Sequence, residues 1–148
     1  MSLEDWAKLK LIAVEPTSAE EISDLRTVVG TRLQDAKVAG VSPDWRFAAA
    51  YNALITSATM AVRAAGYRVP AKGGQHTYAL ESLAYTIGAN DRFIRRLKNF
   101  SHKRGTATYE VAGAVSEEEV KSVIATAEEL HNTVMQWIQE KHAELLKD

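Results

Sequence analysis

Between Asp91 and Arg104 the chain carries Arg92, Arg95, Arg96, Lys98, Lys103 and Arg104, six of its 18 Lys and Arg residues, against one acid, Asp91. The whole protein has a net charge of −1, so any attraction for a polyanion has to be local. At helical spacing Arg95, Asn99 and His102 share one face, and Arg92, Arg96, Asn99 and Lys103 form an adjoining stripe. Guanidinium forks beside a His and an Asn match phosphate oxygens in charge and geometry, which points to RNA or nucleotide phosphates. A structural explanation competes with this one. A helix dipole favours cations at its C-terminal end, and Glu117, Glu118, Glu119, Glu128 and Glu129 offer partners within the chain.

Other residues bear on chemistry less directly. His76 follows Gly73-Gly74 near Arg68 and Lys72. Backbone amides at a helix start can hold an anion with help from a His, although a glycine pair that merely turns the chain accounts for the same residues. The segment lacks the length and the Lys-Ser/Thr ending of a P-loop. Tyr51 and Asn52, with Arg46 and Arg63, either line a polar cavity in the bundle or are buried and hydrogen-bonded to neighbouring helices. The absence of cysteine excludes disulfides, thiolate zinc sites and thiol catalysis, and fits a cytoplasmic protein. His76, His102, His131 and His142 are dispersed without metal-ligand spacing, so no metal is expected. No nucleophile elbow or dinucleotide glycine pattern implies a cofactor. Trp45 and Trp137 are expected as core or interface anchors.

The elements that must position these groups are helical. Residues 1–16 form an arm with anchors at Trp6, Leu9, Leu11, Ile12 and Val14, without a signal-peptide pattern. Thr17 to Glu21 gives overlapping capping boxes, followed by Ile22, Leu25, Val29, Leu33 and Ala36 at helical spacing up to Gly40. Ser42-Pro43-Asp44 starts a second helix with Phe47, Tyr51, Leu54, Ile55, Ala58 and Val62 inward, closing at Gly66. A third helix is expected from His76 to Ile87, a fourth from the Asn90 cap to Gly105, and a long last one from the Ser116 capping box. The run from Phe47 to Val62 is too short for the ~20 residues of a membrane span, so no membrane association is expected. About five helices without a strand pattern imply one all-α domain over 17–148, an antiparallel bundle with an up-and-down four-helix core.

The order of several short motifs resembles the HEPN domain family, in its bacterial stand-alone branch. The residues that carry the resemblance are Ser42-Pro43-Asp44-Trp45-Arg46-Phe47, Ala50-Tyr51-Asn52-Ala53, Ala65-Gly66-Tyr67-Arg68, Gly73-Gly74-Gln75-His76, Lys103-Arg104 and Tyr109-Glu110. It covers residue 15 to the C-terminus. The resemblance implies a homodimer in which Arg and His or Tyr pairs meet in a basic cleft. In active members such a pair cleaves RNA without metal, in toxin-like or stress-response roles, and a nucleotidyltransferase-type protein is an implied partner. Two spacings fit the motif: Arg96 or Arg95 with His102, and Arg104 with Tyr109, the one the flanking residues favour. Tyr109 would be a weak base, since tyrosine titrates near ~10, and Gly105 stands where the family has a polar residue. The expectation is therefore phosphate or RNA binding without efficient catalysis, with metal-independent endoribonuclease activity and an inert structural dimer as alternatives. The candidate catalytic residues are Arg104, Tyr109 and His102; the candidate phosphate contacts are Arg92, Arg95, Arg96, Asn99, Lys103, Arg68 and His76.

Overall fold

A computed structural model describes residues 1–105 and 113–147. They form an all-α helical bundle: α1 (Leu3–Lys8), α2 (Ala19–Asp35), α3 (Pro43–Ala64), α4 (Gln75–Glu81), α5 (Asp91–Gly105) and α6 (Glu117–Lys141), with short 3-10 turns at Ser82–Ala84 and Ala143–Leu146. The helix starts are set by side-chain caps. Ser18, Ser42 and Ser116 each accept from the backbone N–H three residues on. Asn90 Oδ1 accepts from the Phe93 N–H at 2.8 Å. Ser116 and Glu119 complete a reciprocal capping box.

α3 is the central element, packed along α2 and α6 and touching α4 and α5. Its buried Ala50, Ala53, Ser57, Ala58, Ala61 and Ala64 carry little bulk, so neighbouring helices approach closely. Phe47, Tyr51, Leu54 and Met60 fill the remaining space with Ile22, Leu80, Leu97, Leu130 and Ile138. Burial of each large apolar side chain is worth roughly 1.5–3 kcal/mol, and most of that falls on α3, α2 and α6.

Three expectations are corrected. The N-terminal arm is partly ordered into α1 and a strand β1 (Ala13–Val14), which pairs antiparallel with β2 (Tyr67–Arg68) in the register Ala13 with Arg68 and Val14 with Tyr67. Two residues per strand are too few for an alternating pattern to show. The described helices number six against about five expected, the addition being α1, whose Leu3 and Trp6 bury a small cluster with Ile12 against Tyr67, Val69 and Tyr78. The third helix stops at Glu81 instead of Ile87. There the Ser82 hydroxyl donates to the Ala79 carbonyl at 2.6 Å, and the Tyr85 N–H bonds the Ser82 carbonyl, tightening the chain into a 3-10 turn.

Arg63 ties the arm to the bundle. It is only 4% exposed. Its Nη1 donates to the carbonyls of Glu15 and Tyr67 at 2.9 Å, and its Nη2 to the Pro16 carbonyl at 3.2 Å. Nε and Nη2 both reach Glu21 Oε1, at 3.0 and 2.7 Å. Glu21 also accepts from the Thr17 hydroxyl, and that bond, with Arg63, holds its carboxyl below the usual range. Among the described residues no helix is long and apolar enough to cross a membrane.

Candidate functional site

α5 presents its cations in two ways. Leu97 and Ile94 are buried, whereas Arg92, Arg95, Arg96, Asn99 and His102 are exposed. The acids of α6 account for Lys103, which pairs with Glu119 at 3.2 Å, whereas Lys98 pairs with Glu81 of α4. Among the described residues Arg92, Arg95 and Arg96 form no ion pair. Arg95 edges an open cleft of about 360 Å³ walled by Trp6 and Tyr85. Arg68 lies on the ribbon and pairs with Glu15 at 3.1 Å, so the structure does not bring it to the α5 stripe. Tyr109 lies outside the described residues.

Arg104 differs from the rest of the stripe. It is half-buried, because Leu97, Ser101 and Arg104 follow each other at i, i+4 and i+7 and so share the inward side of α5. There its charge reaches two titratable groups from other elements, Tyr51 of α3 and His76 of α4. Tyr51 Oη and His76 Nδ1 are 3.1 Å apart, and the Ser101 side chain also hydrogen-bonds Tyr51. Burial raises the Tyr51 phenol above its usual range, opposed by the Ser101 bond and by Arg104. Burial, and then the Arg104 charge, hold the His76 imidazole below its ordinary value. At neutral pH the two are therefore uncharged hydrogen-bond partners beside a cation.

Local sequence explains how His76 gets there. Gly73 and Gly74 take φ of +85° and +69°, left-handed values that glycine adopts without strain. They turn the chain so that α4 starts against α3 with His76 one residue into the helix. The Gly-Gly pair does turn the chain, as the plainer expectation had it, and it also delivers His76 to Tyr51. On its other side Arg104 borders a cleft of about 430 Å³ that includes Trp45 and Asn52; Trp45 is 66% exposed there.

Among the residues singled out in the sequence, the structure brings together Arg104 and His76, which come from different motifs. It leaves Arg92, Arg95, Arg96, Asn99 and His102 as a separate exposed stripe leading to them. Ser101 is not among the residues singled out in the sequence, and Tyr51 is expected at a polar cavity or buried in the bundle rather than among the phosphate contacts. Ser101 had a legible signal, its helical spacing to Arg104, but the Tyr51 to His76 bond spans 25 residues and no local pattern encodes it. Arg46 and Arg63 belong elsewhere: Arg46 pairs with Glu117 and donates to the Val41 carbonyl, and Arg63 is the arm clamp. Among the described residues no group of three or more His, Asp or Glu side chains could hold a metal ion. Neither a protein-family model, nor a curated protein, nor a solved structure matches the chain.

Proposed function

We propose that the protein binds phosphate groups of RNA or of a nucleotide at Arg104 and His76, with Arg92, Arg95 and Arg96 as the electrostatic approach. The observation that carries this reading is the 3.1 Å contact between Tyr51 Oη of α3 and His76 Nδ1 of α4, with the half-buried Arg104 of α5 near enough for its charge to act on both. A guanidinium supplies a fixed fork for phosphate oxygens. An imidazole kept neutral beside it takes up a proton when an anion arrives, since a nearby negative charge favours the charged form. The exposed arginines add a charge-dependent attraction that steers a polyanion toward the site.

Fluorescence anisotropy of a labelled single-stranded RNA tests the reading. Affinity is expected to fall steeply with added salt, and the Arg95→Ala/Arg96→Ala/Arg104→Ala triple variant to lose binding and most of that salt dependence. Salt-independent binding, or an unaffected triple variant, refutes it.

A second reading, metal-independent RNA cleavage, draws on the same geometry. His76, hydrogen-bonded to Tyr51 and close to Arg104, has the makings of a proton-transfer group beside a cation that would stabilise a phosphorane. RNA left intact by the purified protein in EDTA removes this reading and leaves the binding one. The HEPN resemblance belongs to the proposal too, with the homodimer it implies. Exposed Trp45 beside Arg104 supports that arrangement, and a Trp45→Glu variant that sediments like the wild-type protein would count against it.

A further inference from the structure

The open cleft of about 360 Å³ beside α5 is lined by none of Tyr51, His76 and Arg104. Its floor and walls are apolar. Trp6 of α1 and Ile94 of α5 are each 7% exposed, and Tyr85, just beyond the 3-10 turn, is 38% exposed. The Trp6 and Tyr85 rings meet edge-on with centroids 5.3 Å apart, so they form a corner with one ring open to solvent. The volume lies within the ~300–1,000 Å³ of sites that enclose a small molecule.

The rim carries two acids and two bases. Glu81 and Lys98 neutralise each other in an ion pair. Asp91 and Arg95 stand one turn apart on α5 with the acid first, the order that favours an i, i+4 pair. Among the described residues neither forms an ion pair. Two opposite charges on one helix face therefore border the cleft, each without a partner charge.

That lining selects by charge. A cationic ligand meets Arg95, an anionic one meets Asp91, and a neutral apolar one covers both charges without compensating either. A zwitterion satisfies both. An α-amino acid carries its ammonium and carboxylate on one carbon, close enough to bridge groups one helical turn apart. The Arg95 fork suits a carboxylate, the Asp91 carboxylate suits an ammonium, and an apolar side chain can cover the Tyr85 ring. A residue within a peptide keeps only one of the two charges at most, so the fit is to the free amino acid.

We propose that this cleft binds a free α-amino acid with an apolar side chain, its carboxylate on Arg95, its ammonium on Asp91 and its side chain against Trp6 and Tyr85. The site is independent of the phosphate reading, with Arg95 common to both. Trp6 belongs to the arm, so the site is complete only while the arm is docked.

Calorimetric titration of the full chain with L-phenylalanine, L-leucine, glycine, phenethylamine and hydrocinnamate tests it. The last two keep the phenyl ring with only the ammonium or only the carboxylate. Phenylalanine or leucine is expected to bind, and phenylalanine to exceed each of the two analogues by about tenfold, as for one charge-assisted contact. Asp91→Asn should bring phenylalanine down to the level of hydrocinnamate, Arg95→Gln to the level of phenethylamine, and Tyr85→Ala to the level of glycine. All three positions are exposed, so these changes leave the core untouched. Amide NMR of the wild-type protein should show the shifts centred on Tyr85, Ile94 and Arg95. An analogue or glycine that binds as tightly as phenylalanine overturns the proposal. So does a phenylalanine preference that survives both charge variants, a set of shifts centred elsewhere, or silence from phenylalanine and leucine alike.

Discussion

Two arginines on helices of the same bundle are used in opposite ways. Arg63 is enclosed by three carbonyls and by Glu15 and Glu21, so its charge and donors are consumed in holding the arm and the ribbon against α3. Arg104 is half-buried and acts on two groups that can change protonation, Tyr51 and His76. A buried arginine whose neighbours are acids and carbonyls is a fastening. One whose charge acts on groups that can exchange protons is coupled to their protonation. The lesson is that the surrounding groups, rather than depth or local charge density, distinguish the two uses.

The comparison can be broken most forcefully at Arg63. Arg63→Ala would leave the Glu15, Pro16 and Tyr67 carbonyls without their donors, and is expected to cost about 3 kcal/mol of stability. Its two carboxylate partners are partly solvated, which keeps the loss at the low end for a buried ion pair. A urea midpoint within error of the wild-type value would show that Arg63 is no fastening. Arg104→Ala tests the binding side of the comparison, with RNA affinity expected to fall by about tenfold, as for one charge-assisted contact. If it unfolds the protein instead, the distinction between the two arginines collapses. Tyr51→Phe keeps the packing but removes the hydroxyl between His76 and Ser101, and is expected to cost about 1 kcal/mol. The His76 ring signals should then lose their restriction to one tautomer, visible in nitrogen chemical shifts.

The smallest effect is that of pH. His76 and His131 both have values lowered chiefly by burial, with Arg104 and Arg26 as the secondary causes. The unfolded chain therefore binds more protons than the folded one as pH falls below about 6.5. Stability is full above that value and declines as pH drops toward the lowered folded values. Phosphate affinity should move the other way over the same window, since protonated His76 attracts the ligand. Urea midpoints and anisotropy measured from about pH 7.5 to 5.5 separate the two trends, and parallel trends would remove His76 from the site.

Much of the fold was legible because it is written locally. Ser18, Ser42, Asn90 and Ser116 announce their helices through side-chain oxygens that reach only three residues. The apolar stripe of α3 follows from spacing alone. The ribbon and the Arg63 clamp were not legible, since both join residues about fifty positions apart and the arginine sits in a stripe that otherwise signals core. The candidate site was half legible. The α5 sequence marks Arg104 through its charge cluster, and the glycine pair marks His76, but their meeting depends on how α4 and α5 dock on α3. Tyr51 of α3, Leu80 of α4 and Leu97 of α5 belong to one hydrophobic core, and no single segment records that docking.

The arm has a consequence for that docking. Trp6 packs edge-on against Tyr78 and Tyr85, at ring separations of 5.9 and 5.3 Å, and Tyr78 stands two residues beyond His76. The N-terminal segment thus leans on the short helix that carries one wall of the site, with Arg63 as its tether. Undocking of the arm and loosening of His76 are then thermodynamically linked, and whatever ligand clasps His76 should also shield residues 1–16 from a protease by the same free energy.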